Sequence, residues 1–410
     1  MNLERKRSKG LSRRSFLGAA VSLPVLGAVD ALAGQTNVPL PPERPAIKSE
    51  EIPSKLKVFL EAPARKREYS MGVLKGAHFG EPLSDYLGLD SEVPEKAQID
   101  FRYQLGRLWK QKLERKDKKT GKPVPRSSAT LEEIEKMLLP YDVDKVRKMD
   151  IAGYRDEIAQ SMKEVRASID LDRIAQIGKF SGFDDDQVRL LKELEKRITP
   201  TTILAYALTE IMPTKGAASV RGVQVLDFIL RNGGPDFVER IPALYDSMLS
   251  FGPYQFTSHA LLDVGRVRQG ASMMNGITRN KKNILPGSVV KLRGTEHHKA
   301  AYCFALYNLA AVVEQFDEKR AQKLLRPDIL AALTPSLIAE YIASAHHLPA
   351  NARRSLRSYA DQLIRAHDHP DKKKRFDPYI GHAAAAGVSG YVNKTRDNLA
   401  ALKKMYGWTL

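Results

Sequence analysis

The stretch that most constrains this fold, from Ile198 to Ser258, begins with an apolar helix that carries one carboxylate near its end. The helical period places five apolar side chains on one face: Ile203, Leu204, Ala207, Leu208 and Ile211. Glu210 follows Ile203 by seven positions, about 20° around the helix, which puts it at the rim of that face. We expect Thr201 or Thr202 to cap the helix and Pro213 to end it.

The surroundings of Glu210 predict a raised pKa. Apolar neighbours and the negative end of the helix dipole both disfavour the charged carboxylate. A general acid that works near neutral pH needs a pKa of this kind. A glutamate at the edge of an apolar face can also reach solvent or pair with Lys215 or Arg221, so a structural role stays open.

The stretch closes with SFGPYQF at 250–256, which predicts a tight turn that begins near Ser250. Gly252 and Pro253 favour a sharp reversal of the backbone. Tyr254 offers a ring face to a sugar, and the amide of Gln255 offers both a donor and an acceptor. The turn therefore predicts a carbohydrate-binding surface.

A glutamate that ends an apolar helix, followed by an S-x-G-x-x-Q turn, resembles the lysozyme-like superfamily and within it the soluble lytic transglycosylases. The resemblance implies a mainly α fold, with a helical N-terminal arm before a lysozyme-like α (α+β) catalytic domain. It implies cleavage of peptidoglycan glycan strands, by a lytic transglycosylase or muramidase that uses Glu210 as its acid and base. The implied substrate-binding residues are Ser250, Tyr254, Gln255 and Tyr341. We expect no cofactor.

The sequence departs from that family at several positions. Ile211 stands where the family usually has Ser, and the interval from Glu210 to Gln255 is long enough for two added helices, at 220–231 and 235–249. The A-Y-N-x-G motif has two partial counterparts: 338–343 keeps Tyr341 but not the Asn, and 384–392 keeps the glycines but not the Tyr. These departures leave two other functions open: a non-catalytic wall-binding or assembly protein with a degenerate lysozyme-like fold, and a secreted factor that acts on a partner protein.

The N-terminus predicts export by the twin-arginine machinery to the periplasm or the medium. Basic residues lead to S-R-R-S-F-L, which contains Arg13 and Arg14, and an apolar run follows from 17 to 29. An A-x-A site ends at Ala33, which predicts cleavage before Gly34. The alternative is an uncleaved apolar helix, but the run is short for a stable membrane span.

The chain divides into four predicted regions: a signal peptide at 1–33, a Pro/Gly-rich linker at 34–90, a helical region at 91–197 and the lysozyme-like domain at 198–410. The helical region has four candidate helices: Lys96–Glu114, Leu131–Leu139, Val143–Met162 and Asp184–Lys196. Three more helices are predicted later in the chain, at 300–313, 333–346 and 387–402.

A formal net charge of +18 favours an anionic partner. Residues 1–33 hold six basic and two acidic side chains, so the mature chain keeps +14. Wall polymers with peptide carboxylates and attached anionic glycans suit this charge. Nucleic acid is not expected, because no RNP, zinc-finger or helix-turn-helix signature is present.

Histidine and cysteine give no support for a metal site. The adjacent pairs His297-His298 and His346-His347 point about 100° apart on a helix, and no H-E-x-x-H occurs. The single cysteine, Cys303, lies in an apolar helical run and is predicted to be a small buried hydrophobe.

Overall fold

The computed structural model describes residues 141–171, 182–212, 218–245, 248–267, 292–368 and 389–408. It also describes the short pieces 114–116, 119–121 and 123–125 and the single residues Phe101, Leu105, Leu108 and Gly270. All of these belong to one compact unit, 48–410. The signal, linker and 131–139 predictions lie outside the described residues.

The described chain is mainly helical, as predicted. Its helices are α1 (Ile151–Ser168), α2 (Asp185–Glu195), α3 (Pro200–Ile211), α4 (Ala218–Glu239), α5 (Ser258–Val264), α6 (Glu296–Val313), α7 (Glu318–Leu324), α8 (Pro327–Ala332), α9 (Pro335–His347), α10 (Pro349–Asp368) and α11 (Ser389–Tyr406).

The strands in the described part of the chain form two short antiparallel hairpins. In the first, β1 (Glu114–Lys116) pairs with β2 (Pro123–Pro125). In the second, β3 (Pro242–Tyr245) pairs with β4 (Met248–Phe251), with Pro242 opposite Phe251. The second hairpin leads directly into the turn at 252–255.

The core is built around α6, which is buried along nearly its whole length and packs against α1, α2, α5 and α10. Cys303 lies inside it and is fully buried, as predicted, and burial raises the pKa of its thiol to about 12. The second centre of packing is α3, which contacts α1, α9 and α11. Every residue of α3 from Thr201 to Ile211 is buried.

Several predicted helices are confirmed with small shifts of their ends. The pattern at 184–196 forms α2, where Asp184 and Gln187 make a reciprocal capping box. The patterns at 300–313, 333–346 and 387–402 form α6, α9 and α11. Phe101, Leu105 and Leu108, within the candidate helix at 96–114, are helical.

The predicted helix Val143–Met162 is wrong at its start, because α1 begins only at Ile151. Asp150 caps it by accepting a hydrogen bond from the Gly153 amide. The irregular segment before it packs on the kink of α4: the Tyr141 hydroxyl donates to the Gly233 carbonyl at 2.7 Å, and the Met149 amide donates to the Leu230 carbonyl at 3.2 Å.

The predicted helix at 235–249 is wrong beyond Glu239, where the chain forms the β3–β4 hairpin instead. Pro242 has no N–H for a helical hydrogen bond, which favours an end to the helix before it. The predicted break at 232–234 is a kink inside α4, where Gly234 has φ 71° and ψ 173°. The cap of α3 also differs from the prediction: it is Thr199, because Pro200 occupies the first helical position.

We expect Gly234→Ala to destabilise the protein by about 3 kcal/mol, because this backbone region is almost closed to residues with a Cβ. A Cβ at Gly234 would also lie 2.5 Å from the Arg147 carbonyl oxygen. The control is Gly407→Ala, which has φ +66° but nothing within 4 Å, and should cost only about 1 kcal/mol. Urea denaturation of both variants measures the difference; equal losses would refute the steric argument.

Candidate functional site

The helix α3 carries Glu210 into the protein interior. The Thr199 and Thr202 side chains form a reciprocal cap at its start, and Pro200 fixes the first turn. Because α1, α9 and α11 surround α3, Glu210 lies inside the packing and only 4% of its surface is exposed. The prediction of a position at the rim of an apolar face is therefore wrong: the whole helix is enclosed.

The carboxyl group of Glu210 is protonated at neutral pH. Burial raises its pKa to about 8, and the charge of Lys394 on α11 opposes the rise. This confirms the predicted rise in the pKa of Glu210. Its Oε1 atom has no hydrogen-bond partner among the residues that the structure describes. Burial of such a group costs about 1–3 kcal/mol, so its retention in the core calls for an explanation.

Tyr206 connects the Glu210 helix to the turn. It precedes Glu210 by one helical turn, and after burial the charge of Glu210 is the largest cause of its raised phenol pKa. Its hydroxyl is hydrogen-bonded to His346 Nδ1 and lies 3.5 Å from the Tyr254 carbonyl oxygen. The backbone of Gln255 also interacts with His346. Tyr206 and His346 thus join α3, α9 and the turn.

The turn after β4 is braced by Gln255. Its Nε2 donates to the carbonyls of Ile241 at 3.0 Å and Gly252 at 2.6 Å, and its Oε1 accepts from Ser250 Oγ at 3.2 Å. Gln255 holds a left-handed backbone conformation, with φ 47°. Gly252 is required at φ 76°, since a Cβ there would lie 2.6 Å from His297 Cε1.

The predicted sugar-binding side chains face inward. Tyr254 is fully buried, and its hydroxyl is hydrogen-bonded to His298 Nδ1 at 2.7 Å. Gln255 and Ser250 are also buried and bond to each other. Tyr341 is fully buried on α9 and donates to the Asn308 carbonyl at 2.7 Å. The predicted exposed ring and amide surface is therefore wrong, because these groups serve the interior packing.

The structure links Glu210 to Tyr206 on one helix, and Tyr206 to the turn through the Tyr254 carbonyl and His346, whereas Tyr341 donates to Asn308 on α6. Sequence reasoning missed Tyr206, whose only signal was its position four residues before Glu210. It also missed His346 and Lys394, which come from α9 and α11. Nothing in the sequence indicates that these helices flank α3.

The second partial A-Y-N-x-G counterpart ends inside the first turn of α11, and its residues 384–388 lie outside the described residues. The first turn of α11 places Tyr391 near Tyr206, and the charge of Tyr391 contributes to the raised pKa of Tyr206. His347 stacks on the Tyr391 ring with centroids 4.7 Å apart, and Lys394 lies 5.6 Å above the same ring. This end of α11 thus forms one wall around Glu210.

Glycosidases usually use a second carboxylate besides the acid. Four acidic residues lie between Glu210 and the turn at 252–255, and three of them are in the described residues. Asp227 accepts from the Ile151 amide and pairs with Arg231, and Asp236 lies 3.9 Å from Arg240. Burial raises the pKa of Glu239 to about 7. None of these three is among the causes of the raised pKa of Glu210.

Other predictions concern export, membranes and metals. The twin-arginine motif with Arg13, Arg14 and Ala33 lies outside the described residues. None of the described helices is long and apolar enough to cross a membrane. In the described ranges no group of three His, Cys, Asp or Glu side chains is arranged to hold a metal ion. Comparison with protein-family models, curated proteins and solved structures found no match.

The raised pKa of Glu210 predicts a pH dependence of stability. Between about pH 4.5, its ordinary pKa, and about pH 8, the unfolded chain loses a proton that the folded protein keeps, so stability falls as pH rises. Glu210→Gln removes this effect. The unfolding free energy of the parent should therefore fall relative to that of the variant by up to about 1.4 kcal/mol per pH unit. Urea titrations at pH 5, 6, 7 and 8 test this, and parallel pH profiles would contradict it.

The bracing role of Gln255 predicts a loss of stability in Gln255→Ala of about 1–3 kcal/mol, because Ser250 Oγ and two backbone carbonyls lose a partner in the interior. The matched control is Gln160→Ala, whose exposed amide bonds only to Glu164 at 3.1 Å. That change should stay within about 0.5 kcal/mol. Thermal unfolding of both variants gives the comparison. A Gln255→Ala protein as stable as the control would show that the turn does not need the amide.

Proposed function

We propose that this protein cleaves the glycan strands of peptidoglycan, with Glu210 as the general acid and base. The observation that carries the proposal is the buried, protonated carboxyl at the end of α3, whose Oε1 has no partner in the described part of the chain. An acid held neutral at neutral pH is suited to donate a proton to the leaving oxygen of a glycosidic bond. The link through Tyr206 to the G-x-x-Q turn supports the resemblance to soluble lytic transglycosylases.

In the proposed reaction, Glu210 first protonates the glycosidic oxygen and then, as a carboxylate, takes a proton back. Lys394 favours the charged form of Glu210, so it would stabilise the carboxylate that exists between these two steps. The resemblance favours a route in which the N-acetyl group of the substrate assists and an anhydro sugar forms. Because 4% of Glu210 is exposed, substrate entry requires its neighbours to move.

Within this proposal Tyr206 and His346 are positioning residues. Burial lowers the pKa of His346 to about 3, so the ring is neutral and can accept a hydrogen bond from the Tyr206 hydroxyl. This bond fixes the helix face that carries Glu210 against the turn. Gln255 would act on the substrate only indirectly, since its amide is engaged by the turn itself.

The proposed location is the periplasm or the medium. It rests on the S-R-R-S-F-L motif with Arg13 and Arg14 and on the A-x-A site that ends at Ala33. Peptidoglycan lies in that compartment, so the location and the proposed substrate agree. The basic charge of the chain suits the carboxylates of the same polymer.

The second candidate function is a non-catalytic wall-binding or assembly protein. The observation that favours it is the internal engagement of the predicted sugar-binding groups, with Tyr254 bonded to His298 and Gln255 to the turn. Glu210 would then be a neutral buried acid with a structural role. This function predicts binding to purified sacculi without release of soluble fragments.

The test is Glu210→Gln, which keeps the shape of the side chain but removes the transferable proton. Positioned acid catalysis is worth about 10²–10⁴ in rate, so release of soluble muropeptides should fall by at least 100-fold. Mass spectrometry of the products from the parent protein should show anhydro ends.

The matched control is Glu239→Gln, which alters another glutamate of raised pKa, half-buried at the end of α4. It should retain most of the activity, and melting temperatures are measured for both variants. Undiminished digestion by a folded Glu210→Gln protein would refute the catalytic assignment. A parent protein that binds sacculi but releases nothing would establish the second candidate instead.

A further inference from the structure

The exposed side of α10 forms a groove of about 450 Å³ that the proposed reaction does not use. The described residues that line it are Arg354, Arg357, Ser358, Asp361, Gln362 and Arg365. The opposite side of α10 is apolar and packs into the core through Ala352, Leu356, Tyr359, Ala360 and Leu363. The groove therefore lies on a helix whose position is fixed by its buried side.

Among the described residues, the groove holds three arginines and one acid. Its one described acid, Asp361, is engaged by Arg320 from α7, at 3.3 Å. Arg354 donates to the neutral amide oxygen of Asn351 at 2.9 Å. Arg357 and Arg365 have no hydrogen bond or ion pair with any residue that the structure describes. A bound anion would supply the missing counter-charge.

Repulsion and attraction both act along this side of α10, because Asp361 lies four positions from Arg357 and four from Arg365, a favourable spacing for opposite charges. Arg354 and Arg357 are three positions apart on one helix and Arg353 and Arg357 are four apart, spacings at which like charges destabilise a helix by about 0.2–0.5 kcal/mol per pair. An acidic residue at one of these positions would remove the repulsion. The repulsion is explained if the guanidinium groups serve to bind a ligand.

The length of the groove favours an extended ligand over a single small anion. From Arg354 to Arg365 the helix rises about 16 Å, so the three guanidinium groups form a row along its axis. Each guanidinium can form two parallel hydrogen bonds with a carboxylate. Ser358 and Gln362 lie between them and bond to each other at 3.3 Å, which leaves further donors for hydroxyl or amide groups.

We propose that this groove is a second binding site, separate from Glu210, for the peptide carboxylates of the cell-wall polymer. The identity of the polymer rests on the proposed function; the anionic nature of the ligand does not. No aromatic side chain is among the described residues that line the groove, so it offers no ring on which nucleic-acid bases could stack. That observation favours a polycarboxylate over a nucleic acid.

The experiment measures co-sedimentation of the Glu210→Gln protein with purified sacculi, so that cleavage does not remove the binding target. The test variant adds Arg354→Gln, Arg357→Gln and Arg365→Gln. The charge-matched control adds Lys319→Gln, Lys403→Gln and Lys404→Gln, three exposed lysines outside the groove. Sacculi whose carboxylates have been amidated are a second target, and a single-stranded oligonucleotide of equal charge is a third.

We expect the arginine variant to bind sacculi at least about tenfold more weakly, and the lysine control to keep its affinity within about twofold. Amidated sacculi should bind the parent about as weakly as they bind the arginine variant. The melting temperature of the arginine variant should stay close to that of the parent, because the substitutions remove both the repulsion between arginines and the attraction of Asp361 to Arg357 and Arg365. Under these results the site stands even if the parent releases no muropeptides, in which case only the proposed cleavage fails.

Three results would overturn the inference. Equal weakening by the arginine and lysine variants would show that only the total charge matters. Undiminished binding to amidated sacculi would exclude carboxylates as the ligand. Tighter binding to the oligonucleotide than to sacculi, lost in the arginine variant, would assign the groove to nucleic acid instead.

Discussion

The hydrogen bond between Tyr206 and His346 is the interaction on which the site depends. It joins α3 to α9, and through the Gln255 backbone it fixes the turn that follows β4. A neutral imidazole can accept this bond from the Tyr206 hydroxyl, and burial keeps the ring neutral by lowering the pKa of His346 to about 3. The same burial keeps the proton on Glu210, one helical turn from Tyr206. Packing around α3 therefore sets both the geometry of the Tyr206–His346 pair and the protonation of Glu210.

The interior of the protein contains several buried polar groups that add nothing to its apolar packing. Within the described ranges, Glu210 Oε1, the Tyr154 hydroxyl and His297 Nδ1 and Nε2 are buried without a well-aligned partner. Each such group costs about 1–3 kcal/mol, which a large continuous apolar core can offset. Costs of this kind are concentrated at functional sites in proteins. The position of Glu210 among them is a physical reason to assign it chemistry rather than packing.

Glu210 is shielded from water, whereas the arginine groove on α10 is open to it. Around Glu210, exclusion of water strengthens every charge interaction and keeps the acid neutral. Along α10, water screens the arginines, so each contact with an anion is weak and several must act together. Under the proposed function, the first environment would serve proton transfer and the second would retain the polymer.

The sequence by itself determined the helices whose side chains follow the 3.6-residue period, among them α2, α3, α6 and α9, and the raised pKa of Glu210. Local properties sufficed for the helices, because their side chains follow the helical period. For Glu210 they gave only the direction of the pKa change, because its burial comes from α1, α9 and α11 packed around α3. The sequence did not determine the β3–β4 hairpin, the inward direction of Tyr254 and Gln255, or the separation of Tyr341 from Glu210. Only the tertiary structure decided these, because each depends on a partner that is distant in the chain. The Tyr254 hydroxyl is hydrogen-bonded to His298, the Tyr341 hydroxyl donates to the Asn308 carbonyl, and His346 links the turn to α3.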